Sequence, residues 1–271
     1  MSKNTDSLGN RMKGYEAEPK IFLERKKPVI IRVDGRAFHS FTRGFQSPFD
    51  PVFRNAMKDT MKYLCENIQG CVFGYTQSDE ITLVLTDYAN ENTDAWFGYN
   101  VQKMTSIAAS MATLEFNRAF YKYTWQWVMD GAEDGHKEQG DTYLAAYNNG
   151  AMFDARVFSL EKNEVCNCLI WRQQDAVRNS IQSVGQHYFS SGQLHGKSCN
   201  AVREMLLQDK GVVWEDFPIE YQRGSCCYKV PSTETIHIKD RGAVSVQRNK
   251  WVVDCDIPVF TQDREFVQKW I

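Results

Sequence analysis

Two short stretches place acidic residues where β-strands should end. In "PVIIRVDGRAFHSF", Pro28 to Phe41, branched apolar residues run into Asp34 and Gly35. In "CVFGYTQSDEITLVLT", two alternating apolar runs flank a polar turn, Gln77 to Glu80, that contains Asp79. A carboxylate on the last residue of a strand is exposed yet rigidly held, and a glycine after it lets the backbone turn sharply. If the two strands are neighbours, Asp34 and Asp79 meet. With the Gly35 carbonyl they make an oxygen-rich site suited to Mg²⁺, which keeps waters and shares its shell with phosphate oxygens. Two such ions about 4 Å apart clamp the attacking and leaving oxygens of an in-line phosphoryl displacement.

The turn "GRAFH" can aim successive N–H groups at a triphosphate, and Gly35 would keep a side chain out of that approach. Arg36, Arg43 and Lys103 can neutralise the remaining phosphate charge. Ser78 and Glu80 either complete the hairpin turn or orient ligands beside Asp79. A third stretch, "WRQQDAVRN", Trp171 to Asn179, is dense in planar donors. Arg172, Gln173, Arg178 and Asn179 suit phosphate and base contacts on an RNA. Each stretch also has an ordinary reading: an Asp-Gly surface turn, a polar hairpin tip, the start of an amphipathic helix.

The elements that must position these residues follow from periodicity. Residues 6–26 read as a helix, with Leu8, Met12, Tyr15 and Phe22 near helical spacing. A strand over 28–34 follows. Phe53, Met57, Met61, Leu64 and Ile68 share one face of a packing helix. The hairpin over 71–86 leads to a second long helix, 94–120, whose Ala108, Ala109, Ser110 and Ala112 allow close approach to a sheet. A polar, Gly-rich loop is expected over 129–142, then a strand in "AMFDARVFSL". The order β-α-β-β-α-β predicts an α+β, ferredoxin-like palm, an antiparallel sheet with helices packed on one face. In that topology the end of the first strand and the tip of the hairpin lie side by side. Residues 1–160 form this core; 161–271 read as a C-terminal α/β extension of the same body, helical over about 172–210 and then rich in short strands.

Composition fits a soluble globular chain: 271 residues, 42% hydrophobic, 24% charged and 13% aromatic. No apolar run reaches the roughly 18 residues of a membrane span, so no membrane partner is expected. The N-terminus lacks the apolar stretch of a signal peptide, and a cytoplasmic location is expected. The net charge of −2 predicts no nucleic-acid partner by itself, although arginines can gather on one face. Eight cysteines in such a chain read as reduced thiols packed as small hydrophobes. Cys166 and Cys168, in "CNC", would be same-face neighbours on a strand, and their spacing departs from the Cys-x(2–4)-Cys pairs of structural zinc.

Together, "RVDGRAFHSF", "QSDEITLVL" and "WRQQDAVRN" resemble the tRNA-His guanylyltransferase superfamily and its template-directed 3′-to-5′ polymerase relatives, in order from about residue 8 to about residue 180. The resemblance implies addition of nucleotides to the 5′ end of tRNA, with two Mg²⁺ ions, ATP and GTP as substrates, and a homotetramer. It implies catalytic roles for Asp34, Asp79 and Glu80, and metal binding by Asp34, Gly35 and Asp79. Nucleotide binding would fall to Gly35, Arg36, Ala37, Phe38, His39, Arg43, Ser78 and Lys103, and RNA handling to Arg156, Arg172, Gln173, Asp175 and Asn179. The RNA 5′-monophosphate would be activated by ATP and then attacked by the 3′-hydroxyl of an incoming nucleotide. One departure matters: Val177 stands where eukaryotic members have a histidine, which favours templated repair over dedicated guanosine addition. Two other readings remain, a palm-type nucleotide cyclase or dinucleotide synthase, and an RNA-binding module without catalysis.

Overall fold

The computed structural model describes residues 7–131, 136–238 and 242–271. In chain order its elements are α1 (Ser7–Ala17), β1 (Val29–Gly35), α2 (Phe38–Phe41), α3 (Pro51–Asn67), β2 (Cys71–Gln77), β3 (Glu80–Leu85), α4 (Val101–Asp130) and α5 (His136–Asn149). They continue with β4 (Phe153–Ser159), α6 (Val165–Tyr188), α7 (Ser191–Leu194), α8 (Cys199–Lys210), α9 (Ile219–Arg223), β5 (Ser225–Ile238), β6 (Gly242–Asp254) and α10 (Glu265–Gln268).

The strands form one sheet in the order β4-β1-β3-β2-β5-β6, every neighbour antiparallel. Its first four strands, with α3 and α4 as the two crossovers, are the expected β-α-β-β-α-β palm. In β1, Val29, Ile30, Ile31 and Val33 are all fully buried, which requires cover on both faces of the sheet. Val29, Ile31 and Val33 share a core with α3 and α4. Ile30 belongs to a second core with Val165 and Leu169 of α6 and the C-terminal Ile257 and Phe260. The expectation of helices on one face is therefore incomplete, because α6 covers the other.

Local chemistry sets the helix ends. Asp50 caps α3, its carboxylate accepting from Phe53 N at 2.8 Å, with Pro51 opening the first turn where no N–H is needed. The same carboxylate accepts from Gln46 N and from the buried Tyr143 hydroxyl of α5 at 2.6 Å. Burial raises the Asp50 pKa, and these donors oppose the shift. Close packing of α3 on the sheet needs Gly74, where a Cβ would meet Cys65 Sγ at 2.5 Å.

Several boundaries differ from the sequence expectations. The first helix stops at Ala17, because Glu18 precedes Pro19 and a residue before proline avoids helical dihedrals; α1 buries none of its residues. The second long helix starts at Val101, capped by the Asn100 side chain, and continues to Asp130. Where a loop was expected over 129–142, α5 begins at His136; Tyr143 and Ala146 are buried in the main core, and this packing outweighs a polar sequence. Residues 132–135 of that stretch lie outside the described residues. Cys166 and Cys168 are on α6 and not on a strand, so they point about 160° apart around the helix. No cluster of three metal-ligating side chains exists among the described residues. No helix among them is long and apolar enough to cross a membrane.

Asp50→Ala should lower the unfolding free energy by about 2 kcal/mol, since it removes a cap and leaves the Tyr143 hydroxyl unpaired. Urea denaturation measures this directly.

Candidate active site

Register brings the two acidic stretches together. Asp34 is directly opposite Glu80 on β3, and Gly35 N donates to Asp79 O at 3.1 Å, tying the end of β1 to the hairpin tip. Asp34 and Asp79 both line a cleft of about 840 Å³. The Asp34 side chain is 37% exposed. Asp79 is largely enclosed; burial raises its pKa, its own backbone N–H opposes this, and the negative charge of Asp34 adds to the rise. Ser78, in the left-handed region at φ 48°, donates to Asp79 Oδ1 at 3.1 Å. On the other flank of β1, Asp154 is opposite Asp34, and Arg156 reaches to 4.0 Å from each of these carboxylates.

The turn after Asp34 is built around Gly35, where a Cβ would meet the Phe38 ring at 2.3 Å. The glycine thus makes room for Phe38 to enter the aromatic core, in addition to any role toward a ligand. Ala37, at φ 55°, opens the short helix α2, and Ala37, Phe38 and His39 line the cleft. Arg36 N is committed to Met152 O at 2.8 Å, and the side chains of Arg36 and Arg43 are exposed outside the cleft lining.

Four further expected site residues lie elsewhere. Glu80 turns away from the cleft: its carboxylate accepts from Arg172 Nε at 2.8 Å, and both side chains are only 8% exposed. Asp79 belongs to the hairpin turn, whereas Glu80 opens β3 on the face of the sheet that α6 covers, where Arg172 meets its carboxylate. Burial raises the Glu80 pKa, and Arg172 offsets part of the shift. Arg172 and Gln173, expected on RNA, face inward. Arg172 also donates to Asp175 at 2.7 Å, while Gln173 donates to Pro258 O and accepts from Phe260 N. Lys103 is remote as well. Thr113 Oγ1 accepts from Phe153 N, and Phe153 pairs with Gly35, whereas Lys103 lies roughly 15 Å back along the α4 axis.

Of the third stretch, Asn179 lines the cleft, Asp175 binds Arg172 and Arg178, and Arg178 and Trp171 are exposed. The Trp171 ring lies under the Arg172 guanidinium at 4.4 Å and near that of Arg32 at 5.7 Å. Sequence reading missed the far wall of the cleft, formed by Phe49, Arg54 and Tyr221. Arg54 carries a faint signal, a charge on the inward side of an amphipathic helix. Its side chain is 7% exposed and its Nε is 3.9 Å from Glu220, which Lys58 holds at 2.6 Å.

The donor set fits Mg²⁺: two carboxylates and a backbone carbonyl, all hard oxygens at a cleft, leave coordination positions for water and phosphate. Asp34, Asp79 and the Gly35 carbonyl are the groups that would hold it.

The chain is similar to known proteins in sequence and in fold. Residues 9–161 match the family model Thg1, tRNAHis guanylyltransferase. An uncharacterised protein of Acanthamoeba polyphaga mimivirus is 28% identical over 87% of this chain and 81% of its own. A probable tRNA(His) guanylyltransferase of Dictyostelium discoideum is 25% identical over 83% of each chain. A bacterial tRNA(His) guanylyltransferase (Thg1)-like protein in complex with ATP superposes with a TM-score of 0.80 at 35% identity, covering 98% of this chain and 99% of that one. The corresponding complex with GTP gives 0.75 at 35% identity with the same coverage.

Arg172→Met should cost about 3 kcal/mol of unfolding free energy, because it strands the Glu80 carboxylate in the interior. The double variant Arg172→Met, Glu80→Leu should recover at least about half of that loss in the same urea titration.

Proposed function

Because the chain belongs to the tRNAHis guanylyltransferase family, we propose that it is a nucleotidyltransferase that adds nucleotides in the 3′-to-5′ direction to the 5′ end of a tRNA. The observation that carries this reading is the meeting of Asp34 and Asp79 at one cleft in a palm sheet. Its volume of about 840 Å³ is in the range that takes a nucleotide. ATP and GTP, the ligands of the bacterial Thg1-like complexes, are the substrates this cleft would take.

Mg²⁺ held by Asp34, Asp79 and the Gly35 carbonyl would neutralise phosphate charge and help to align the attacking and leaving oxygens. The residues of the chain then have mainly positioning work. Ala37, Phe38 and His39 border the triphosphate, and Ser78 holds the Asp79 carboxylate in place. The Glu80–Arg172 pair locks α6 against β3, directly after the turn that carries Asp79, so Glu80 acts as a positioning residue. Direct RNA contacts would fall to Arg156, Arg178 and Asn179, with Trp171 available for stacking on an unpaired base.

Val177, packed against the core that includes Ile181 and Val184, supports templated end repair over guanosine addition specific to tRNA-His. A homotetramer in the cytoplasm completes the proposal, with sedimentation velocity as the test of assembly. A cyclase could use the same two aspartates; the family relationship and its tRNA substrates favour transfer to RNA.

Asp34→Ala and Asp79→Ala should each lower nucleotide addition to the 5′ end of a truncated, labelled tRNA by at least about 1,000-fold. Their melting temperatures should stay within about 4 °C of the parent, as expected for groups at the cleft surface. Full turnover in either variant would contradict the assignment. Turnover of triphosphates alone, with none on tRNA, would favour the cyclase.

A further inference from the structure

Among the described residues that line the cleft, Arg54 is the one lysine or arginine. Its Nε is sealed from solvent with no hydrogen-bond partner, and the nearest carboxylate oxygen, on Glu220, is 3.9 Å away. That oxygen is held at 2.6 Å by Lys58. Lys58 and Glu220 pair with each other, and the other carboxylate of this wall, Asp50, is taken up by Gln46 N, Phe53 N and the Tyr143 hydroxyl, so the Arg54 guanidinium has no close acidic partner. A guanidinium held this way is costly, and its terminal nitrogens, at the cleft lining, are the donors that an acceptor in the cleft can reach.

The surroundings indicate which acceptor. Phe49 stacks on Tyr221 with ring centroids 4.7 Å apart and planes at 14°, and the Arg54 guanidinium is 6.0 Å from the Tyr221 ring. The neighbouring lining includes the neutral Gln46, Asn179 and Ser183. A phosphate pocket would gather several cations or clustered N–H groups. Flat aromatic surface, neutral amides and one forked donor instead match the edge of a base. Arg54 makes no ion pair with Asp34 or Asp79, where the phosphates belong.

We propose that Arg54 reads the nucleobase of the bound nucleotide, donating two hydrogen bonds to O6 and N7 of guanine. This rests on the cleft being a nucleotide site and adds a graded base preference of the protein without RNA, apart from the choice that a template base makes during end repair. Guanine presents two acceptors side by side on that edge, which the arginine fork matches. Adenine replaces O6 with an amino donor, so one N–H of Arg54 would face another N–H and stay unpaired.

The test is equilibrium titration of the full-length protein with GTP, ATP, ITP and 7-deaza-GTP in the presence of Mg²⁺, repeated with Arg54→Met. This variant leaves Glu220 paired with Lys58. The parent should bind GTP at least about fivefold more tightly than ATP. ITP, which keeps O6 and N7, should match GTP, and 7-deaza-GTP should be weaker by a similar factor. Arg54→Met should bring GTP down to the level of ATP and leave ATP within about twofold. Equal weakening of both nucleotides would assign Arg54 to the phosphates and overturn the proposal, as would a parent that does not discriminate. A parent that binds none of the four would overturn the nucleotide reading of the cleft itself. Should Arg54→Met fail to fold, the ITP and 7-deaza-GTP comparison on the parent decides alone.

Discussion

The antiparallel register of β1 against β3 is the constraint on which the site depends. Pairing of Asp34 with Glu80 and the bond from Gly35 N to Asp79 O hold two carboxylates from sequence-distant stretches at one place. A slip of one residue would turn Asp34 into the α3 and α4 core and bring Val33 to the opposite face. The register is strongly determined because both faces of β1 are buried and its apolar residues interlock with separate cores. Rigidity of the acidic pair is thus a by-product of a strand that cannot shift.

The second support is electrostatic. Asp79 lies in the hairpin turn at the cleft, and its neighbour Glu80, the first residue of β3, is buried under α6. The inward carboxylate would be costly alone; Arg172 of α6 compensates it, and Asp175 takes the second branch of the same guanidinium. This places α6, and with it Asn179 and Ser180, along the cleft. A buried ion pair of this kind adds little net stability compared with an apolar pair, yet it admits few alternative arrangements. It accounts for polar residues in "WRQQDAVRN" that resemble an RNA-contacting surface in sequence and serve as an internal joint in the fold.

Much of the palm was legible because its signals are local. Period-two runs ending in Asp-Gly and Ser-Asp-Glu turns defined the strands, the apolar stripe from Phe53 to Ile68 defined α3, and the topology then predicted that Asp34 and Asp79 meet. What escaped was decided by tertiary contact. A glycine-rich, polar stretch gave no hint that Tyr143 would anchor α5 through Asp50. "CNC" has neither strand nor helix periodicity over three residues. The inward turn of Arg172 depends on an acidic partner 92 positions away, and the distance of Lys103 from the cleft depends on which end of α4 meets β4. The Arg54 wall required α3 and α9 to be seen together.

The central claim is that Asp34 and Asp79 jointly hold metal ions against the triphosphate of a nucleotide in this cleft. Anomalous diffraction from crystals grown with GTP and Mn²⁺ addresses it most directly. The account predicts two Mn²⁺ peaks between the Asp34 and Asp79 carboxylates and the phosphates, both lost in crystals of Asp79→Ala. Metal and triphosphate bound together elsewhere on the protein, with both aspartates uninvolved, would contradict it.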